Sequence, residues 1–597
     1  MKVLSSLLRK GLCQFLALIA AVPAPLVAQT IQVDPLAGLW GVEVRFDTPV
    51  QGDLTLDARG GVWRAFIAGY QVEVDAKGDD FGFTLPGNIA EFRGHRDTAS
   101  NMVRGQWIQQ SGKILNQQYA SPVQLYSIAP SVWRGTIVPL DQRISVYAFL
   151  SSSDGKLTAF LSNPEMNFFR RRIYTVTREG TKIHMEAKGS KIEGTYDDKS
   201  DTLSLQLVNF LPPFQFTRRK EKDAVGFYPR IPSDSADWRY RKPIPDNDGW
   251  TTASLEMEGL NEQPIASLVH RILTADPEVN PVAIQSLLIE RHGHLVLEEY
   301  FYGFDKERTH DMRSAAKTFA PVLVGLAKEH GAKLSPETPI YPLFSQYSSF
   351  ANWDARKQKL SLRDLMTMTA GNACDDNDDD SPGNEDRMQG DSEIHDWYKY
   401  SLDLPMLKQP GGEDAVYCSA DQNLVGGAVA AATHSRLPEF FEQNLARPLQ
   451  FSRYYLNLMP DGQAYMGGGA YVRPRDQLKL GQLYLAGGVW NGKRILSKEW
   501  VADSTSFHSR FAPAYSLGQE HEYGYGWHIH NLTTGGKTYR EFSAGGNGGQ
   551  FVIVIPDLDL VVGITGGNYG EFDKWGRWEL ELVPQFIIPA VSPDPSH

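Results

Sequence analysis

The chain has 597 residues, 42% hydrophobic and 11% aromatic, with no long charge blocks; that is a globular composition, and the length is too great for one compact core. Its 71 acidic against 59 basic side chains give a formal charge of −12. Such an acidic protein is a poor partner for nucleic acid or for an anionic membrane surface.

The first 28 residues run basic, apolar, then small. Lys2, Arg9 and Lys10 precede Leu16-Ala17-Leu18-Ile19-Ala20-Ala21-Val22, and Pro23, Pro25 and Ala28 follow. This is the order of a secretory signal peptide, with an apolar part too short to serve as a bilayer-spanning anchor. A periplasmic or secreted location is expected, with no stable membrane insertion. Cys13 falls inside the signal, which leaves Cys374 and Cys418 in an oxidising compartment. There a pair is expected to bridge; the alternative is two buried free thiols.

Residues 29–227 read as an all-β domain. Leu54-Thr55-Leu56, Gln71-Val72-Glu73-Val74 and Thr202-Leu203-Ser204-Leu205-Gln206-Leu207 alternate polar with apolar, and turn clusters such as Ala58-Arg59-Gly60-Gly61 separate them. A sandwich or barrel is expected. Tryptophan recurs just after glycine at Trp40, Trp63 and Trp107, and the halves near 52–109 and 145–217 are loosely alike. A structural or lid-supporting role fits this segment better than a ligand container. Residues 228–261 carry Pro229, Pro232, Pro243 and Pro245 without a sustained period, and read as a linker or wrapping arm.

From residue 262 to 597 the texture is mixed α/β. Ile265 to Leu273 has helical spacing, and Ser286 to Tyr300 reads as a hairpin turning at His292-Gly293. At the far end Gln550–Ile555 and Leu560–Thr565 read as strands joined at Pro556-Asp557. Strands at both ends around a helical middle predict one sheet assembled from the two ends of the domain.

The chemistry concentrates at Ser314-Ala315-Ala316-Lys317, which opens a predicted helix to Gly331 that Pro321 should bend. A nucleophile and a base three residues apart share one helix face. The spacing alone is weak: Ser153-Asp154-Gly155-Lys156 matches it inside a β turn. Corroboration lies downstream, in Leu362–Gly371, Tyr417-Cys418-Ser419, Gly467-Gly468-Gly469 with Arg473-Pro474-Arg475-Asp476, Tyr523-Gly524-Tyr525-Gly526-Trp527, and Gly545-Gly546-Asn547-Gly548-Gly549-Gln550.

In this order and at these separations the segment from about Ile265 to Ile588 resembles the β-lactamase-related serine hydrolases. The likeness is to the branch of class C β-lactamases, family VIII carboxylesterases and 6-aminohexanoate-dimer hydrolases. It implies a class C β-lactamase-like α/β (α+β) domain that needs no cofactor. By resemblance Ser314 is the nucleophile, Lys317 its base and Tyr417 the residue that relays the proton. Lys317 can act so only with its pKa lowered by burial and neighbouring cations or hydrogen bonds. Ser419 stands at the family's asparagine position, where a hydroxyl can still orient Lys317 or the substrate. The oxyanion hole would combine the N–H groups of Ser314 and Gln550, the latter on an edge strand. A bridge between Cys374 and Cys418 would pin Tyr417.

The third motif departs from the family. Its Lys-Thr-Gly aligns with Asn547-Gly548-Gly549, and asparagine offers hydrogen bonds without charge. An ester or amide lacking the penicillin carboxylate, small or peptide-like, is therefore the expected substrate. A D-amino-acid peptidase or weak β-lactamase of the same fold is one alternative, and a non-catalytic binding protein that kept the fold is another. The run Asp375–Asp380 lacks the glycine and distal glutamate of a calcium loop and reads as a solvated loop near the cleft, with selection of a cationic substrate as an alternative. His292/His294 and His528/His530 have no acidic or cysteine partner at metal-site spacing, so no metal site is expected.

Overall fold

A computed structural model describes residues 34–592 apart from 46–47, 112–116, 154, 170–171, 232–237, 275–282 and 514–519. The expected signal segment and Cys13 lie outside the described residues. Among the described residues no helix is long and apolar enough to cross a membrane.

The N-terminal part is all β, in two barrel-like sheets. Strand Gly38–Arg45 pairs with Arg143–Ser153 and with Phe214–Arg218, closing an eight-stranded barrel whose other strands lie between those two. Alternate residues turn inward, so Trp40, Leu161, Ile183, Leu203 and Phe216, all fully buried, pack into one apolar core. The nine strands from Gly52–Asp57 to Val132–Ile137 form a second sheet around Trp107 and Phe92. The two loosely similar halves of the sequence thus fall in separate sheets. The Ser153/Lys156 decoy is a hairpin: the two residues oppose each other across paired strands.

The second sheet does not stop at the β domain. Gln117–Ala129 also pairs with Tyr454–Leu458, through Leu456 opposite Ala120, and Ala470–Val472 and His310–Asp311 extend the ladder. Main-chain hydrogen bonds therefore run from the β domain to the residues just ahead of Ser314.

The C-terminal part is built on a nine-stranded sheet. Ile284–Arg291 and His294–Tyr300, joined at His292 and Gly293 with φ of 52° and 82°, lie beside Leu560–Gly566 and Gln550–Ile555 from the far end of the chain. Lys537–Gly546, His528–Thr534, His521–Tyr523 and Ser509–Phe511 follow in order. Inner strands such as Gln550–Ile555 are buried on both faces and read as continuous apolar runs. Phe319–Glu329, Ser419–Thr433 and Pro474–Leu485 share the core on one face. Glu262–Leu273 and the helical segment Trp578–Ile587 cover the other.

The described part of the arm 228–261 is fastened to the helix Pro474–Leu485. Trp250 is buried and its indole N–H donates to Arg475 O at 2.9 Å, while Arg475 ion-pairs with Glu298 and Asp248. The motif Arg473-Pro474-Arg475-Asp476 thus serves architecture: Asp476 lies between Arg473 at 3.1 Å and Lys479 at 2.7 Å, fully buried.

Candidate active site

Ser314 is carried by a tight turn. Met312 N–H donates to Ala470 O, Arg313–Thr318 form a 3₁₀ helix, and the α-helix proper runs Phe319–Glu329. Pro321 was expected to bend one continuous helix. It instead occupies the first turn of the α segment, where proline is tolerated, and the change of pitch precedes it. The turn places the partly exposed Ser314 above Lys317, which is only 2% exposed, and Lys317 Nζ donates to Ser314 Oγ at 3.0 Å. Thr318 Oγ1 donates to Gly526 O at 2.7 Å, tying the turn to the Tyr523–Trp527 segment. On the other side a Cβ on Gly468, whose φ is 137°, would stand 3.2 Å from Arg313 O, so the glycine run 467–469 walls the turn closely.

Tyr417 comes from the loop ahead of helix Ser419–Thr433. Lys317 Nζ sits 4.9 Å from its ring centroid, and Phe511 packs on the ring at 5.9 Å. Cys374 and Cys418 are joined by a disulfide, and Asp376 N–H donates to Tyr417 O at 2.9 Å. The bridge closes a loop of 44 residues, worth about 4 kcal/mol of chain entropy in the unfolded state. Cys374→Ser is accordingly expected to lower the melting temperature by several degrees and to cut turnover several-fold, as the Tyr417 loop loosens. Unchanged values of both in calorimetry and esterase assays would remove the pinning role.

Ser419 is bound differently from what its motif suggests. Its hydroxyl lies 2.6 Å from Asp376 Oδ2 and 2.8 Å from Glu385 Oε2, and its N–H donates to Asp376 at 2.7 Å. Tyr465 donates to the other oxygen of Glu385 at 3.0 Å. Two carboxylates thus stand beneath Lys317. The acidic run 375–380 divides accordingly: Asp378, Asp379 and Asp380 are exposed, while Asp376 turns into the site. No feature of the sequence singles out Asp376 from its neighbours, and Glu385 is equally unmarked.

These acids overturn one expectation. Burial lowers the affinity of Lys317 for its proton, but the Tyr417 hydroxyl, Glu385 and Asp376 outweigh it, and its pKa lies above the ordinary lysine value. The neighbours are anions where a lysine base requires cations. Asp376 is itself pushed up to about 6, by burial and by the charge of Glu385, against the opposing pull of Lys317 and the bonds from Ser419.

The strand that faces Ser314 is Lys537–Gly546. A Cβ on Gly546 would come 2.3 Å from Met312 O and 3.0 Å from Ala315 N, so only glycine lets the strand press against the turn. Gln550 is not on an edge: Gln550–Ile555 is an inner strand, Gln550 is fully buried, and its side chain donates to Gly566 O at 2.6 Å. The strand end that meets Ser314 is Gly545–Gly546, and Gln550 stands behind it, paired with Gly546. Asn547 is exposed and its Oδ1 accepts from Gly570 N–H at 2.9 Å. Gly548 and Gly549 make the turn with φ of 93° and 95°.

Ser314 opens onto two cavities. One, about 420 Å³, is lined by Tyr417, Phe511, Ser543, Phe551 and Trp575, with three histidines and Glu579. No lysine or arginine lines it among the described residues. The other, about 460 Å³, lies between the two parts of the chain, with Leu140, Arg143 and Glu165 of the β domain facing Arg313, Ser314 and Tyr465. Pro164 O accepts from Gln285 Nε2 at 2.6 Å and Arg308 pairs with Glu165 at 3.3 Å, which seats the β domain there.

Both histidine pairs acquire acidic partners through the fold. Glu258 lies 2.9 Å from His292 and 3.1 Å from His294 on the exposed hairpin turn. His530 faces Glu541 across paired strands and lies 3.6 Å from Glu579 on the C-terminal helical segment. His521 Nε2 is 2.9 Å from His528 Nδ1. Local spacing could not reveal these partners, since each comes from another element.

Residues 285–579 match the family model described as Beta-lactamase. A curated 6-aminohexanoate-dimer hydrolase from Paenarthrobacter ureafaciens is 24% identical over 258 residues, which is 41% of this chain and 63% of that protein. The match therefore spans less than two thirds of the relative's length. Among solved structures, a family VIII carboxylesterase is 16% identical, covering 51% of this chain and 91% of its own, with a TM-score of 0.39. A simvastatin synthase from Aspergillus terreus is 15% identical over 55% of this chain and 99% of its own, with a TM-score of 0.41.

Proposed function

We propose that the chain, whose residues 285–579 match the Beta-lactamase family model, hydrolyses a carboxylic ester or amide through an acyl-enzyme on Ser314. The observation that carries this is the 3.0 Å contact from Lys317 Nζ to Ser314 Oγ at the junction of two cavities, with Tyr417 above the ammonium. Because Glu385 and Asp376 favour the charged form of Lys317, the proton acceptor is Tyr417, whose ring lies beside the Lys317 amine. Tyr417 takes the Ser314 proton as Oγ attacks the carbonyl carbon, then gives it to the leaving alcohol or amine. A water molecule, deprotonated by the same group, hydrolyses the acyl-enzyme. The tetrahedral oxyanion is met by the N–H of Ser314 and by the strand end at Gly545–Gly546.

The apolar cavity beside Phe511, Phe551 and Trp575 suits an uncharged hydrophobic part of the substrate, and no cation lines it to engage a penicillin carboxylate. The curated relative is named for an amide dimer, which fits this reading. The β domain forms the wall of the second cavity and so selects the group on the other side of the scissile bond. Export is part of the proposal, supported by the disulfide and by the pattern of residues 1–28.

A fluorophosphonate probe is expected to add once, on the peptide containing Ser314, and the protein is expected to turn over p-nitrophenyl esters but not nitrocefin. Ser314→Ala should abolish both labelling and turnover. Labelling elsewhere, or none, would sink the assignment. The same peptide map, made on protein from the extracytoplasmic fraction, should lack residues 1–28.

A further inference from the structure

Glu541 is a fully buried carboxylate on the sheet face beneath the C-terminal helical segment, and neither of its oxygens has a hydrogen-bond partner among the described residues. Around it stand other polar atoms equally unprovided for: Glu579 Oε1, Ser543 Oγ and His521 Nδ1. A buried polar atom without a partner costs about 1–3 kcal/mol, and more when charged. Folded proteins hold few of them, and several converging on one place call for an ion or another ligand.

One ligand atom each from His530, Glu541 and Glu579 lies within 4.8 Å of the others. They come from two neighbouring strands and the helical segment: His530 and Glu541 are directly opposed across the ladder, and Glu579 descends from above. Two glutamates and an imidazole offer one neutral nitrogen and two negative oxygens, a donor set suited to a divalent cation of the zinc kind. Such a cation would satisfy the unpartnered oxygens of both buried carboxyl groups.

We infer that His530, Glu541 and Glu579 form a divalent transition-metal site in the wall of the apolar cavity. His530 and Glu579 line that cavity, so the remaining coordination position faces it. Glu541 lies four residues from Gly545, about 13 Å along the strand. The metal is thus too distant to polarise a carbonyl held at Ser314. It anchors instead an oxygen donor at the far end of a bound substrate. The inference is independent of the acyl-enzyme reading, because metal uptake does not require Ser314.

The test is equilibrium dialysis of the full-length protein, stripped with EDTA, against micromolar zinc chloride, with metal read by mass spectrometry and stability by calorimetry. The wild type and Ser314→Ala are expected to take up about one equivalent and to melt higher with zinc. Glu541→Gln and Glu579→Gln should bind more than about tenfold more weakly. Glu579 sits on the covering segment rather than within the sheet, so its variant keeps the test valid if Glu541→Gln fails to fold. A double His292→Gln, His294→Gln variant, which removes the exposed hairpin pair, should retain uptake. No uptake by the wild type, equal uptake by the glutamate variants, or uptake lost with the hairpin pair would overturn the site. A melting temperature raised by methylammonium and not by zinc would also overturn it, in favour of an organic cation.

Discussion

Tyr417→Phe is expected to lower kcat/KM for a p-nitrophenyl ester by about 10²–10⁴-fold, the usual worth of a positioned acid–base group. Lys317→Met should lose at least as much. The reasoning turns on which group can accept a proton. Lys317 is enclosed, yet it faces the carboxylates of Asp376 and Glu385 and donates to Ser314 Oγ. An ammonium fixed in that way cannot take the serine proton, but it can lower the cost of a phenolate beside it. Two consequences separate this from a lysine base. Lys317→Arg, which keeps a charge, should retain more activity than Lys317→Met, because the demand is electrostatic. Under a lysine base the two would be equally dead, since guanidinium does not deprotonate. Tyr417→Phe should also slow fluorophosphonate labelling, whereas a mere spacer role for Tyr417 would leave the labelling rate unchanged. Stopped-flow ester hydrolysis and timed labelling read both.

Much of this site was legible because its parts lie on strong local signals. Ser314 and Lys317 are three residues apart, the glycines at 467–469 and 545–549 mark close backbone approaches, and the terminal strands are apolar runs. What stayed hidden depends on the meeting of distant elements. Asp376 looked like one more solvated acid in a run of five, and only the disulfide and the Ser419 N–H turn it inward. Gln550 was placed on an edge because the following strand was legible while Lys537–Gly546 and the strands beyond it were not. The latter are short, histidine-bearing and paired to neighbours by register alone. The same cause concealed the partners of His530, which lie 11 and 49 positions away in sequence. Pro321 was misjudged for a different reason: spacing fixes that a helix is present, but not whether its first turn winds as 3₁₀ or α.

Asp376→Asn should raise thermal stability at neutral pH while lowering activity, a combination that ordinary truncation of a buried contact does not give. The Asp376 carboxyl is pushed from 3.8 to about 6, chiefly by burial and by Glu385, with buried Asp421 nearby and Lys317 and Ser419 acting the other way. For an acid whose folded pKa is raised, the stabilising share belongs to the protonated form. That share is complete below pH 3.8 and is lost as pH climbs through about 6. At pH 7.5 the wild type therefore carries an unfavourable buried anion, and asparagine, which still accepts from the Ser419 N–H though it gives up the bond from the Glu385 N–H, relieves it. A gain of about 2 °C at pH 7.5 that shrinks toward zero at pH 5 is the expected calorimetric result. Activity should move oppositely. The ionised carboxylate helps hold Lys317 charged, so wild-type kcat/KM should fall below an acid limb near pH 6. In Asp376→Asn that limb should vanish and the plateau drop by about tenfold, equivalent to one unit of lost charge stabilisation at Lys317. If the variant instead melts lower at every pH and keeps the limb, Asp376 is a scaffold for the Ser419 N-terminus and the proton inventory of the site lies elsewhere.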